Sequence, residues 1–382
     1  MDPIPPVIVV PPTTTPPTTV ATRRSGMMFC VVGSTFHDKS LFAQQYCDYA
    51  VYPDLIARNG SFKPIYGATT WNTFKEAVAA AKDVEVGLGF TLAGIDKPAS
   101  SIDLISGMGA ELSHLARTMN ASAMGVFNFQ YKLGVSLQAL QAAFQARAFA
   151  AAVSMARTAR LTEPMTFLGV LVTTYTESSD FTAQIRKMKN VTTIILQTHI
   201  SMQYGSREKC MSMPVSMMTA AIGQPSFEVA AGTAMSLHAL GNRFRIVFSS
   251  TLGVMMFVGT KSSGAPTAIK QACYQAFMTG FDVTCNATVS PSAMRGYDQS
   301  QHFAYLKYEA GSNLYFATYE TEKSLAEKLN MYVVHVSDGW ALFEVDRDTL
   351  RSCGYLKDND YPRLTRVQQQ ARQRQMVDAS NL

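Results

Sequence analysis

The stretch TFLGVLVTTYTESSDFTAQIRKMKNVTTIILQTHIS, residues 166–201, decides the fold. It opens with an apolar run of strand length (166–175), passes through a helical segment (179–189) and returns to a second apolar run (192–201). Both runs are continuously apolar instead of alternating, the pattern of parallel strands covered on both faces. Parallel neighbours need a crossover, and the helical segment between them supplies it. Ser179 before Asp180 reads as its N-cap, with the acid in the first turn complementing the helix dipole.

The unit recurs along the chain. Strand-like runs lie at 27–33, 47–55, 84–92, 122–130, 166–175, 192–201, 245–253 and 339–346, and helical segments at 71–83, 100–120, 135–159, 179–189 and 226–240. Ser100 or Ser101 caps the second of these helices. Strands alternating with helices in this way predict an α/β fold, a (β/α)₈ TIM barrel, with a doubly wound open sheet as the competing architecture. The gap between Gly253 and Gly339 is too long for one helix. Within it, residues 303–320 read as two aromatic strands joined at Gly311-Ser312-Asn313, a small β-hairpin insertion between strands seven and eight, and 323–333 as a helix. The organisation expected is a Pro/Thr-rich disordered stalk (1–26), a barrel (27–360) and a polar C-terminal tail (361–382) in which 364–375 has no apolar face.

The totals exclude several classes. With 382 residues, 47% hydrophobic and 16% charged, the chain buries a large core. The net charge of +5 is carried by scattered Lys and Arg residues, so no clustered basic face for nucleic acid is expected. No apolar run reaches the roughly 18 residues of a membrane helix. No Gly-rich phosphate loop, HExxH or G-x-S-x-G is present, and neither metal nor cofactor is expected.

The start, MDPIPPVIVV, lacks the basic and apolar regions of a signal peptide, which taken literally means cytosol. The following PPTTTPPTTV is either an unstructured leader or an O-glycosylated stalk. Six cysteines, Cys30, Cys47, Cys210, Cys273, Cys285 and Cys353, allow three disulfides, and sequons stand at Asn59, Asn120, Asn190 and Asn286. Together these favour an extracellular protein whose start is incomplete or internal.

The segment YETEKSLAEKLNMYVVHVSDGWALFEVDRDTLRSC (319–353) resembles the end of the chitinase-type barrels of glycoside hydrolase family 18. Tyr319, Ser324 and Lys328 fill the family's Tyr-Asp-x-x-x-Ser-x-x-x-Lys pattern, and Gly339, Phe343, Asp346 and Asp348 its last strand, with Phe343 in place of Trp. MMFCVVGST and CDYAVYPD are similar to the family's opening strands, and the likeness implies a Cys30–Cys47 bridge. Residues 198–218 are also similar to divergent chitinase-like proteins of ticks and mites. Of the other cysteines, the local pairing Cys273–Cys285 leaves Cys210 with Cys353.

The resemblance implies a site on the fourth strand, where the family carries Asp-x-x-Asp-x-Asp-x-Glu and the Glu protonates the leaving oxygen while an Asp orients the substrate's acetamido group. Here that strand is SAMGVFNFQY, and matching Gly125 places Phe127, Phe129 and Tyr131 at the inner Asp positions and the acid. No Asp or Glu occurs from Leu112 to Thr162. A Tyr is a poor proton donor at neutral pH. The phenylalanines fill a core or form a sugar platform. His199 stands for a substrate-contacting Tyr and Ile200 for an Asp, Trp340 stacks on a sugar if it faces the mouth, and Phe343 completes the possible groove. Asp346 and Asp348 support the barrel end. Displaced acids are Asp54, Glu177 and Asp180, the last two at a helix N-terminus where capping is the simpler role. The expectation is a non-catalytic chitinase-like extracellular protein that binds chitin-type oligosaccharide or another protein. The alternatives are a hydrolase with a displaced acid, and a structural protein without sugar affinity.

Overall fold

The structure, a computed structural model, describes residues 26–65, 67–91, 108–133, 137, 165–200, 210–221, 223–241, 243–260, 268–285, 293–333, 336–348 and 361–380. In chain order the elements are β1 (Met27–Val31), β2 (Tyr49–Arg58), β3 (Ser61–Pro64), α1 (Ala68–Ala80), β4 (Glu85–Thr91), α2 (Gly109–Met119), β5 (Ala121–Gln130), β6 (Met165–Leu171), α3 (Tyr175–Ile185), β7 (Thr193–Leu196) and α4 (Phe227–His238). They continue as β8 (Arg245–Thr251), β9 (Val254–Thr260), β10 (Gln275–Thr279), β11 (Met294–Asp298), β12 (Phe303–Ala310), β13 (Asn313–Tyr319), α5 (Glu322–Lys328), β14 (Gly339–Phe343) and α6 (Pro362–Ser380).

Parallel pairing runs β1-β14-β8-β7-β6-β5-β4-β2, and β1 also pairs with β2, so the sheet closes on itself. Closure removes the open-sheet alternative: the eight apolar runs are the eight staves of a (β/α)₈ barrel, with β3 added antiparallel on β2. Alternation sorts each strand between two cores. Met27, Phe29, Val31, Val51, Ala123, Phe167, Ile195, Val247 and Ala341 fill the barrel interior. Their neighbours in sequence face outward, where Met28, Cys30, Leu88, Leu168, Ile194 and Leu342 meet Phe74, Phe181 and Leu325 of the helices.

Helix α3 starts four residues before the expected cap. Thr174 is the N-cap, its side chain accepting from Glu177 N at 3.1 Å, and Ser179 lies inside the helix. The predicted Ser100 or Ser101 cap and the helix at 135–159 fall outside the described residues, apart from Leu137.

The insertion is larger than a hairpin. The β12–β13 hairpin turns at Gly311, whose φ of 63° suits a residue without Cβ, but it belongs to a five-stranded antiparallel sheet ordered β10-β9-β13-β12-β11. Strand β9 was missed because it follows β8 almost at once, with no helix between. Its residues are buried on both faces: Val254, Met256 and Val258 on one, Met255 and Phe257 against Ile200 and Val215 on the other.

The cysteine pairing differs from the local expectation. Cys30 bridges Cys47, as the resemblance implies, but Cys210 bridges Cys273. Cys273 N donates to Cys210 O at 3.0 Å, and Met211 and Ala272 form an isolated bridge, so these chains run side by side. Cys285 lies beyond β10 from Cys273, and even five extended residues cover roughly 17 Å, more than a disulfide reaches. Cys285 is itself disulfide-bonded, and Cys353 lies outside the described residues.

The expected polar tail is a docked helix. Tyr361, Leu364, Val367 and Ala371 of the α6 segment are buried in the main core, a stripe at helical spacing that the surrounding Gln and Arg residues obscure in the sequence. Arg363 anchors it. Its guanidinium is fully buried, with Nε 2.5 Å from Asp348 Oδ1, and donates to Glu320 O at 3.0 Å and Leu252 O at 2.6 Å while lying over the Phe281 ring. Barrel, second sheet and C-terminal helix meet at this one side chain. Removing it leaves Asp348 buried without its counter-ion, so Arg363→Met is expected to cost about 3–5 kcal/mol in urea unfolding. Glu76→Gln, which breaks the exposed ion pair with Lys39, is expected to stay within about 1 kcal/mol of wild type.

Candidate functional site

The C-terminal ends of the barrel strands form the mouth, the face on which barrels of this kind carry their sites. Two β-bulges decide which side chains point into it. In β5 the pairing to β6 jumps between Val126 and Phe129, and Asn128 takes φ 57°. Val126 and Phe129, three residues apart, both belong to the outer core, whereas Phe127 belongs to the inner one. The extra residue therefore places Phe127 and Asn128 together on the inner side and shifts the alternation after them. Phe129 and Tyr131 belong to the outer core, so alternation gives Gln130, exposed at the end of β5, the inward side at the rim of the mouth.

This corrects the expected register. Phe129 and Tyr131 do not occupy the mouth. Tyr131 lies between barrel and α3, edge-on to Phe181 at 5.4 Å. Its hydroxyl donates to Asp180 Oδ2 at 2.5 Å and accepts from Gln184 Nε2 at 2.6 Å. Burial, reinforced by the Asp180 carboxylate, pushes the phenol well above the usual tyrosine range. Tyr131 is a brace, and where the misread register put aromatics the mouth carries two amides. Gln197 Nε2 donates to Asn128 Oδ1 at 2.8 Å, tying the amide of β5 to the end of β7.

Beneath the amides lies an apolar floor. The His199 ring packs on Phe343 with centroids 4.5 Å apart, and Phe343 on Phe127 at 5.3 Å. His199 Nδ1 is 2.7 Å from Ser249 Oγ, which also accepts from Thr198 N at 3.1 Å. Burial pushes the His199 pKa down to about 3, so the imidazole is neutral at any ordinary pH and serves as a fixed polar ring. Trp340 is outside this groove. It belongs to the outer core, stacked on Phe227 at 5.8 Å, because alternation in β14 sends Ala341 and Phe343 inward and Trp340 and Leu342 outward.

Of the three displaced acids, two are structural in position. Glu177 Oε2 accepts from Thr173 N at 3.0 Å and Thr173 Oγ1 at 2.8 Å, closing the entry to α3, with Lys132 Nζ 3.9 Å from its other oxygen. Asp180 is on the outer face with Tyr131. Asp54 is different. Tyr52 and Leu55 both lie in the outer core, and the β2–β4 pairing shifts between them, so a second bulge turns Pro53 and Asp54 inward. Asp54 is 9% exposed, and among the described residues no donor reaches its carboxylate. Burial, then the neighbouring charge of Glu344, push its pKa up to about 7.

Glu344 went unnoticed in the sequence, although its place directly after Phe343 at the end of the last barrel strand is a signal that could have found it. It takes φ 56°, and Arg347 Nε donates to its Oε2 at 2.5 Å. Burial raises its pKa, opposed by Arg347. Its carboxylate lies over Gly33 at the end of β1, in the space that a Cβ at that position would need. Beside it, Asp346 Oδ1 accepts from Gly33 N at 2.5 Å and Oδ2 from Thr35 Oγ1 at 3.0 Å, holding the end of β1 to the end of β14.

No family model and no curated protein matches the chain. Solved structures do. An immunomodulatory active chitinase from Trichuris suis superposes with a TM-score of 0.66 at 13% identity, covering 90% of this chain and 99% of its own. Human YKL-39, described as a pseudo-chitinase with retained chitooligosaccharide binding, gives 0.64 at 12%, covering 91% and 100%. A Glu-to-Gln variant of a class V chitinase from Nicotiana tobaccum in complex with NAG4 gives 0.61 at 9%, covering 91% and 98%. The chain has the fold of the chitinase-type barrels.

Asp54 makes stability fall as pH rises. Its folded pKa of about 7 exceeds the unfolded value near 3.9, so the stability tied to its proton is full below about pH 4, declines between the two values and is gone above pH 7. Asp54→Asn is expected to be more stable than wild type in urea unfolding, with an advantage that grows by about 2–4 kcal/mol from pH 5 to pH 8.

Proposed function

We propose that this protein is an extracellular, non-catalytic member of the chitinase-like barrels of glycoside hydrolase family 18, which binds chitin-type oligosaccharide at the mouth. The observation that carries the reading is the pair of amides, Asn128 and Gln130, at the inward positions of β5. Substrate-assisted hydrolysis needs a carboxylic acid there to protonate the leaving oxygen, and an amide N–H is far too weakly acidic to transfer its proton. What amides do offer is a donor and an acceptor each, the complement of sugar hydroxyls and acetamido groups, above the rings of Phe127 and Phe343. Docking of another extracellular protein on the same loops is the second reading.

Disulfide bonds at Cys30–Cys47 and Cys210–Cys273 support an oxidising compartment. No helix among the described residues is long and apolar enough to cross a membrane. Asn59, Asn120 and Asn190 are exposed, the last two at the ends of the strands opposite the mouth, where glycans leave the groove open; Asn286 lies outside the described residues.

Titration calorimetry with the tetramer of N-acetylglucosamine is expected to show binding, weakened up to about tenfold in Gln130→Ala, with no new reducing ends on prolonged incubation. Release of reducing ends that disappears in Asp54→Asn overturns the non-catalytic reading in favour of a displaced acid. Protein secreted from a eukaryotic host is expected to lose mass on enzymatic removal of N-glycans, and to lose less when Asn120 and Asn190 are changed to Gln.

A further inference from the structure

The mouth holds a charge that sugar recognition through amides does not use. Asp54 is buried to more than nine-tenths, bulged inward, and without a donor among the described residues. Such a group is costly: a desolvated carboxylate is retained when something pairs with it. Its surroundings worsen the imbalance. The charged groups acting on it and on its neighbour are Glu344, Asp346 and Arg347 after β14: three carboxylates, counting Asp54, against one guanidinium, with Tyr52 of its own strand turned to the helix layer. That guanidinium is engaged elsewhere, with Nε on Glu344, Nη1 on Met278 O at 3.2 Å and Nη2 on Ser34 Oγ at 3.3 Å. Asp346 is satisfied by Gly33 and Thr35. Asp54 is the one acid of the group left open.

We infer that Asp54, with Glu344 beside it, is an ammonium subsite, and that the ligand of this mouth carries a free amine: a glucosamine-containing, partly de-N-acetylated chitin oligomer. The inference rests on the sugar-binding reading above and specifies its ligand. An ionised carboxylate only accepts hydrogen bonds. An acetamido carbonyl set against Asp54 and Glu344 meets acceptor on acceptor when both are ionised and a single O–H donor when Asp54 is protonated, whereas an ammonium brings three donors and the missing positive charge. The amides of β5, two strands from β2 and opposite β14, are the part of the mouth suited to hydroxyls and acetylated units. The bulge in β2 thus places a carboxylate where alternation alone would have turned it out of the barrel.

Calorimetry on the full-length protein at pH 7, comparing the glucosamine tetramer with the N-acetylglucosamine tetramer, tests this. At least tenfold tighter binding of the amine, about 1.4 kcal/mol, is expected. Repeating the titration in buffers of different ionisation enthalpy is expected to show proton release from the protein, since the cation displaces the proton held at Asp54. In Asp54→Asn the preference should vanish while the acetylated tetramer binds as before; Glu344→Gln should reduce it. Urea unfolding of each variant confirms that it folds. Equal or tighter binding of the acetylated tetramer by wild type, or a preference that survives Asp54→Asn, overturns the inference and leaves sugar binding intact. Binding of neither tetramer defeats the sugar-binding reading and the subsite with it.

Discussion

A closed parallel sheet gives each strand two directions for its side chains, into the barrel or out against the helices, and a residue inserted into one strand exchanges them for everything that follows. This constraint sets the chemistry of the mouth. The insertion in β5 brings Asn128 and Gln130 inward and sends Tyr131 to the helix layer, and the insertion in β2 turns Asp54 inward between Tyr52 and Leu55. Both bulges sit near the C-terminal ends of their strands. A third register shift, between Val86 and Gly87 of β4, lies at the opposite end of the barrel, away from the mouth.

The rest of the molecule holds that rim in place with buried polar ties. Asp346 fixes the end of β1 to the end of β14. Arg363 gathers Asp348 and the carbonyls of Glu320 and Leu252 under α6. Lys328 and Glu320, both fully buried, form a second ion pair shared with Ser216 and Ser324, which joins α5 to the chain after β7. Burial draws the Lys328 pKa down, and the Glu320 carboxylate opposes it. Such pairs contribute modest net stability but are expensive to break, which makes them good at fixing one arrangement of elements. They hold the second sheet and the C-terminal helix against the barrel, whereas Asp54 has no such partner.

The fold was legible because its signal is repeated. Each of the eight apolar runs carried the same information, and the crossover rule for parallel strands left few ways to connect them. The final strand and the Cys30–Cys47 pair carried a resemblance that the structure shares. Less repetitive features were lost: β9, hidden by its adjacency to β8; the apolar stripe of α6, diluted by Gln and Arg; and the Cys210–Cys273 bridge, set by two segments meeting in space.

For the site, the sequence by itself determined what was absent: with no Asp or Glu between Leu112 and Thr162, no register of β5 could supply an acid. It also supplied the residues that matter, Asn128, Gln130, His199, Phe343, Asp54 and Glu344. Only the tertiary structure decided which of them face the mouth. Direction in a strand has a period of two, and a bulge reverses it with a single residue that looks like any other in the sequence. Asn128 and Asp54 carry no local mark of that reversal; it shows only in which neighbours their strands pair with and which core each adjoining side chain joins.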